Sequence, residues 1–357
     1  MFVCRQLQCF KFKYLLLFVL VTCFTLVIFF FVNKSSSNIS PLATGIETIS
    51  TSSLKNISLV YTSSVNTTRH VSKFNTSNCL QADTRPFFEQ EYPQTNLPQR
   101  ISNSSYQNIL HQLHSLRLIV VACARNVEKD IENYRSHVEP IIDLFHPSSR
   151  ILIFESDSKD KTVEKLYQWP RAQVYTYGNM MKSHPGRTDR LAFCRNTLLN
   201  KTRDLKADYI LVTDLDAFST AVPAFLSNFQ YNIDDWSVMT TASSGAYSDF
   251  WALRTLSDSV MNYDVWRRMG ELGGSGKNHC SPTEIRYLVF GIHEKIIPIE
   301  YGLLEVRSAF GGAGLYKLNS TYGCQYNGAT CEHVAFHLCI REKNQGRIFI
   351  NSEFRLN

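Results

Sequence analysis

The sequence predicts an α/β fold: a mixed, mostly parallel sheet with helices on both faces, preceded by one transmembrane helix and a disordered stem. Three observations predict it. From Leu116 onward, short β-branched runs alternate with stretches of helical spacing, the pattern of a parallel sheet crossed by helices. The runs are apolar at nearly every position, as strands covered on both faces are. Polar clusters fall where the runs end, at the edge where such sheets collect their ligands.

The elements can be justified in order. Tyr14 to Val32 is an uncharged run of 19 residues, and a bilayer core takes roughly 20. Arg5, Lys11 and Lys13 precede it and only Lys34 closely follows, so residues 1–13 are expected to be a cytoplasmic tail and 14–32 a signal anchor. A cleaved signal peptide is the competing reading. The run exceeds the roughly 7–15 apolar residues of a signal core, and no small-x-small site follows it. Residues 33–115 are rich in Ser, Thr and Asn and hold too little apolar surface to offset the entropy of ordering them. Asn-x-Ser/Thr acceptors begin there at Asn33, Asn38, Asn56, Asn66, Asn75 and Asn103, with two more at Asn200 and Asn319. An exposed, glycosylated, luminal stem is expected.

Residues 116–357 have globular composition and suffice for one sizeable core. The net charge of +6 is mild and spread out, without a basic run, so nucleic acid is not an expected partner. Of ten cysteines, Cys4, Cys9 and Cys23 belong to the tail and anchor, leaving seven for the lumen. Seven is odd, so at least one is free or pairs between chains. Cys123 and Cys194 read as buried small hydrophobes. Cys280, Cys324, Cys331 and Cys339 are better disulfide candidates, with three connectivities open.

Within 116–357, "LRLIVVACAR" opens as a strand. "IENYRSHVEPIIDLF" has helical spacing, with Pro140 predicting a break or kink. The strand "RILIFES", the helix-like "DKTVEKLYQW", the strand "AQVYTY" and the helix "TDRLAFCRNTLLNKTRDL" follow, leading to the strand "DYILVT" and the pair Asp214 and Asp216. Arg125 and Asn126, the run Glu155 to Asp160, and the aspartate pair would thus gather at one crevice.

Each cluster has a bland and a functional reading. Asp157, Ser158 or Asp160 could simply cap the next helix. Alternatively Glu155, Asp157 and Asp160 belong to a turn that accepts hydrogen bonds from a nucleotide. Arg187 and Arg190 could be surface cations, or could meet a diphosphate near a helix N-terminus. Carboxylates as close as Asp214 and Asp216 repel each other, at a cost in stability, unless a cation joins them. Mg²⁺ or Mn²⁺ prefers one or two carboxylates plus substrate phosphates, which a sugar nucleotide supplies. In "YSDFWALR", Asp249 and Trp251 suit a sugar subsite, although Trp251 could equally be core. Gly311 and Gly312 in "SAFGGAGLYK" read at least as a tight turn. In "CEHVAFH", His333 and His337 share a helix face, but the order excludes the H-E-x-x-H zinc motif.

The Asp214-Leu215-Asp216 motif after a hydrophobic strand resembles the metal site of GT-A (Rossmann-like) glycosyltransferases, and "ESDSKDKT" resembles their nucleotide-binding turn. The similarity covers about Leu116 to His337. Within that class, "FESDSKDKT", "DRLAFCRN" and "YSDFWALR" are most similar to the fungal capsule α-1,3-mannosyltransferase family. Members of that family carry Asn-Asp-Val where this chain has Asp214-Leu215-Asp216, so the resemblance does not fix the donor. It implies a late histidine in the metal shell, His333 or His337, and Gly311 and Gly312 close to donor and acceptor. It implies Glu332 as base only if the enzyme inverts the anomeric centre, and the fungal relatives are expected to retain it.

The expectation is therefore a Golgi single-pass type II membrane protein whose luminal domain moves a hexose onto a glycan hydroxyl, using Mn²⁺ or Mg²⁺. GDP-mannose is the favoured donor. A UDP-sugar donor on the same scaffold and an inactive, membrane-anchored glycan-binding protein are the rivals.

Overall fold

A computed structural model of the chain describes residues 83–90, 94, 96–274 and 280–357. The chain divides into two compact units, Met1–Ser72 and Lys73–Asn357, and the described residues all lie in the second. The expected tail, the 14–32 anchor, the acceptors from Asn33 to Asn75, and Cys79 lie outside the described residues. Among the described residues no helix is long and apolar enough to cross a membrane.

The first half follows the alternation. β1 (Leu118–Ala124), β2 (Arg150–Glu155), β3 (Ala172–Thr176) and β4 (Tyr209–Asp214) are parallel neighbours in the order β3-β2-β1-β4. Helices Ile131–Ile142, Thr162–Tyr167 and Arg187–Asp204 connect them. Ile119 and Val121 of β1 enter a core with Leu198 and Leu199 of the Arg187–Asp204 helix. Leu118, Val120 and Ala122 enter a second core with Tyr134, Val138 and Ile141 of the Ile131–Ile142 helix. Both faces are covered, which is why the strand is apolar at every step. The Ile131–Ile142 helix runs through Pro140 rather than breaking there. Pro140 stands in its last turn, and both Pro140 and Ser136, whose carbonyl loses its N–H partner, are exposed to water.

The second half departs from alternation. β5 (Val238–Ser243), β6 (Arg254–Thr255), β7 (Leu303–Ser308), β8 (Ala313–Lys317) and β9 (Ile348–Leu356) complete a nine-stranded sheet in the order β3-β2-β1-β4-β8-β5-β9-β7-β6. β8 runs antiparallel between β4 and β5, and β7 antiparallel between β9 and β6, while the remaining strands share one direction. The sheet is mixed and mostly parallel. Because β8 is antiparallel to β4, the residues before its first position lie beside those after the last position of β4. Thr213 pairs with Ala313, and the Asp214 N–H donates to the Gly312 carbonyl at 2.8 Å.

Two expectations need correction. Part of the 33–115 stretch is packed: Phe87 is 0% and Phe88 6% exposed, and the Phe87 ring lies 5.6 Å from that of Tyr247. A helix spans Asn103–Leu113, and Arg100 pairs with Glu353 of β9, with its guanidinium 5.2 Å from the Tyr231 ring centroid. The packed body begins before Leu116 because a few aromatic residues in a polar stretch carry enough surface to bury. The second correction concerns Cys123 and Cys194, which form a disulfide with Cα atoms 6.2 Å apart, since β1 packs directly on the Arg187–Asp204 helix. Cys324 and Cys339 form another, Cys280 is also disulfide-bonded, and Cys331 is free and buried. Asn103, Asn200 and Asn319 are exposed.

Phe87→Ala should cost about 3–5 kcal/mol of stability, and a chain cut back to residue 110 should lose its cooperative melt by circular dichroism. A truncated chain melting at the parent's temperature would return residues 83–115 to the stem.

His293 is 5% exposed, with the Phe87 and Phe250 rings each 6.3 Å away. Burial pushes its imidazole down to about 4, and Asp83 pulls weakly the other way. An unfolded histidine titrates near 6.5, so the folded state loses stability from about pH 6.5 downward, a cost of roughly 3 kcal/mol once pH reaches 4. The melting-temperature gap between His293→Phe and the parent should therefore shift in the variant's favour as pH falls from 7 to 4. A gap that stays constant across that range would rule His293 out as the titrating group.

Candidate active site

A cavity of about 610 Å³ opens at the carboxyl ends of β1 and β4. The chain passes from β1 to β3 in one direction and returns to place β4 on the other side of β1, which makes this the switch point where such sheets bind ligands. Cys123 and Asp214 are register partners across the β1–β4 ladder, so Arg125 and Asp216 follow them to the same rim.

Asp214, Asp216 and Glu332 all line the cavity, and a buried arginine orders two of them. Arg195, 4% exposed, donates from Nη2 to Asp214 Oδ1 at 2.8 Å and from Nε to Glu332 Oε1 at 3.0 Å. Its guanidinium also lies over the Phe310 ring, 4.9 Å from the centroid. Burial works against the Arg195 charge, but Asp214 and Glu332 more than offset it and raise its pKa. Burial pushes the Asp214 carboxyl up to about 6, opposed by Arg195 and assisted by Glu332 and Asp216. The Asp214 side chain is nevertheless 40% exposed, so water reaches it. Asp216 is exposed and has no ion-pair or hydrogen-bond partner among the described residues.

Arg125, Arg187 and Arg190 line the same cavity. None has a carboxylate partner among the described residues. Arg190 Nη1 donates to the carbonyls of His184 and Pro185 at 2.8 and 2.6 Å, and Arg125 Nη2 approaches Met181 Sδ at 3.3 Å. Arg187 begins the Arg187–Asp204 helix after Gly186, which gives no side-chain cap.

The opposite wall comes from the second half of the chain. Asp249 Oδ2 accepts from the Gly311 N–H at 2.8 Å, and burial raises its carboxyl pKa against that bond. Trp251 Nε1 donates to Asp264 Oδ2 at 2.9 Å, which fixes the indole at the cavity. Gly311 and Gly312 have φ of +69° and +97°, where a side chain is strained. A Cβ on Gly311 would also meet the Thr241 carbonyl oxygen at 2.4 Å.

The two histidines separate. His333 lines the cavity, stacks on Phe310 with centroids 3.7 Å apart, and has both ring nitrogens buried without a hydrogen bond, its Nε2 3.6 Å from Glu332 Oε1. Burial and then the Arg195 charge push its imidazole well down, so it is neutral and able to act as a ligand. His337 does not line the cavity. It is 0% exposed, its Nδ1 is 3.0 Å from Ser308 Oγ and its Nε2 2.8 Å from Tyr316 OH. With both nitrogens bonded it is a core histidine, which corrects its assignment as a metal ligand.

The 155–160 turn lies outside the cavity lining apart from Ser156. Glu155 is 3% exposed and its Oε1 accepts from the Ser158 N–H. Asp157 Oδ1 accepts from the Met181 N–H, while its Oδ2 is buried without a partner. Both oxygens of Asp160 are bonded to backbone N–H groups, of Thr162 and Glu128. Asp160 thus ties the turn to the start of the next helix and, like Glu155 and Asp157, does not line the cavity.

Among the described residues no group of three or more His, Cys, Asp or Glu gathers as a metal cage. The two carboxylates present instead fit a shared site, unpaired Asp216 and the remaining oxygen of Asp214, and His333 lines the same cavity without joining them in a three-ligand group. Such a set leaves coordination positions for substrate oxygens, as Mg²⁺ sites do.

Arg195, Ser156 and Tyr247 in the cavity wall were not singled out as site residues from the sequence. Arg195 carried a signal: it lies three residues before Leu198 and seven before Thr202, on the buried stripe of its helix, where a cation needs partners.

No protein-family model and no curated protein matches the chain. Solved structures resemble it distantly. A mannosyltransferase from Pyrobaculum calidifontis, solved with GDP-Man and Mn²⁺, is 12% identical with a TM-score of 0.41, over 76% of this chain and 60% of that one. Glucosyl-3-phosphoglycerate synthase from Mycobacterium tuberculosis, solved with Mn²⁺, UDP and phosphoglyceric acid, is 11% identical with a TM-score of 0.35, over 65% and 66%. S. aureus TarS, residues 1–349, is 14% identical with a TM-score of 0.37, over 68% and 59%. The chain thus spans about 60% of the length of the first of these. At such scores the likeness carries no residue role across.

His337→Leu would strand the Ser308 and Tyr316 hydroxyls and should destabilise the fold by about 2–4 kcal/mol. Its stabilisation by Mn²⁺ with a nucleoside diphosphate should persist. His333→Leu should melt close to the parent and lose much of that stabilisation. Equal Mn²⁺ responses in thermal melts of the two variants would place His333 among the core histidines as well.

Proposed function

We propose that this protein is a metal-dependent glycosyltransferase of the Golgi membrane, single-pass and type II, that moves a hexose from a nucleotide sugar onto a glycan hydroxyl. Mannose from GDP-mannose is the favoured donor. One observation carries the reading: three arginines without carboxylate partners face the same cavity as the Asp214–Asp216 pair. Unpaired guanidinium groups beside a switch point suit a diphosphate, with the forked geometry that phosphate oxygens accept.

In this reading Arg125, Arg187 and Arg190 bind the diphosphate. Asp216, the open oxygen of Asp214 and His333 would hold Mn²⁺ or Mg²⁺. The ion supplies positive charge where negative charge grows on the departing diphosphate. Trp251, held by Asp264, offers its ring to a sugar face. The backbone at Gly311 and Gly312 lies close against the site because no side chain intervenes. Asp249, partly open and fixed by the Gly311 N–H, is placed to accept a hydrogen bond from a sugar hydroxyl. Glu332 would take the acceptor's proton only in an inverting transfer, and it would have to do so while Oε1 is held by Arg195.

Saturation-transfer NMR of the full chain with Mn²⁺ and a nucleotide-sugar panel tests the donor. GDP-mannose should give the strongest transfer. Signal from UDP-sugars alone would move the donor, and signal from none, with glycan binding intact, would leave a glycan-binding protein. Asp216→Asn should melt within a few degrees of the parent, because the side chain is exposed and unbonded. Its transfer activity should fall roughly 100-fold. Full Mn²⁺-dependent turnover in that variant would remove Asp216 from the metal set.

A further inference from the structure

Arg195 is a buried cation that the proposed chemistry does not use directly. It joins its own helix, the end of β4 and the start of the Glu332–Asn344 helix. The guanidinium reaches carboxylates 19 and 137 residues away in sequence, Asp214 at 2.8 Å and Glu332 at 3.0 Å. It lies over the Phe310 ring, 4.9 Å from the centroid, and 6.0 Å from that of Tyr326. A guanidinium held by two carboxylates and packed against aromatic rings has little freedom to swing away.

The consequence concerns Asp214. One of its oxygens already accepts a charged donor, and a divalent ion on that oxygen would stand within a few ångströms of a fixed positive charge. The other carboxylate that could help, Glu332, already has Oε1 bonded to the same guanidinium. No preformed group of three ligands exists among the described residues.

We infer that Arg195 is a positioning residue that makes metal binding depend on the nucleotide. It fixes Asp214 against Glu332, withholds one Asp214 oxygen from the ion, and lets a divalent cation bind tightly only when a diphosphate brings further oxygens. This rests on the nucleotide-sugar reading of the cavity and adds the order in which its two ligands assemble. Arg195 thereby guards the empty site against metal while holding the two carboxylates at a set separation for transfer.

The test is Mn²⁺ binding by the full chain, read from the free-ion signal in electron paramagnetic resonance, alone and with GDP or UDP. In the parent, nucleotide should tighten Mn²⁺ binding roughly 10-fold or more. Arg195→Gln should tighten nucleotide-free Mn²⁺ binding and shrink that coupling. Because Arg195→Gln leaves Glu332 unpaired and could unfold the chain, Arg195→Gln combined with Glu332→Gln is the second variant. It leaves the net charge unchanged and frees Asp214, so tighter nucleotide-free binding there cannot come from bulk charge. Its kcat should fall roughly 100-fold, the scale of a misplaced catalytic geometry, and the donor KM at saturating Mn²⁺ should rise by the factor that the coupling loses. Glu332→Gln alone leaves the guanidinium to Asp214 and should weaken nucleotide-free binding. Parental Mn²⁺ affinity in the double variant, or tightening in Glu332→Gln, would overturn the inference while Mn²⁺-dependent nucleotide binding left the function standing. A parent that binds no nucleotide with Mn²⁺ would sink both.

Discussion

One guanidinium shared by two carboxylates is the interaction on which the rest of this site depends. Burying an arginine costs several kcal/mol unless its partners are in place, and removing one partner leaves an uncompensated charge in the interior. Arg195 therefore obliges the Arg187–Asp204 helix, the end of β4 and the start of the Glu332–Asn344 helix to meet within hydrogen-bond distance. It also changes the meaning of the paired aspartates. A metal ion is not the only cation available to them, because Asp214 has one built into the protein. Asp216 has none, so the case for a divalent ion rests chiefly on the exposed member of the pair.

That meeting is possible because of the strand order. The parallel run β3-β2-β1-β4 brings Arg125 and Asp214 to one edge, and the antiparallel β8 brings Gly311 and Gly312 to the same edge from the far end of the chain. A parallel strand in that place would have carried its leading turn to the opposite side of the sheet. The Asp214 N–H to Gly312 carbonyl bond and the Asp249 to Gly311 N–H bond then close the floor. The Cys123–Cys194 disulfide ties β1 to the arginine-bearing helix one residue from Arg195, which restrains the wall in the unfolded chain as well as in the folded one.

Most of the first half was legible in the sequence, because doubly covered strands are apolar at each position and their helices have a clear period. β1 to β4 and the Arg187–Asp204 helix fall where the runs place them. β5 to β9 were not legible. "VMTTAS" and "IFINSEFRL" carry Thr, Ser, Asn and Glu into buried strands, with Thr240, Thr241, Asn351 and Ser352 all fully buried, so periodicity marks them as polar. The cavity lining includes Asp214, Asp216, Arg187, Arg190 and His333 from the sequence candidates. It excludes Glu155, Asp157, Asp160 and His337, and the partners of the last two, Glu128, Tyr316 and Ser308, are remote in sequence or unremarkable in it. A histidine spaced for a ligand and a histidine spaced for a core hydrogen bond look alike until the facing strand is known.

The packed segment before Leu116 extends the same logic outward. Tyr247 lines the cavity, and behind it the Phe87 and Phe250 rings stand 5.6 and 5.7 Å from its own. Phe87 in turn is 5.3 Å from Phe88, which meets Tyr301 at 5.4 Å. The wall that carries Asp249 and Trp251 thus leans on residues that composition alone assigns to a stem. A cavity wall made of loops needs such backing, because loop backbone has few ladder hydrogen bonds to hold it. The polar stretch that reads as spacer therefore holds an aromatic plug at Phe87 and Phe88, so the structural requirements of the site begin before β1.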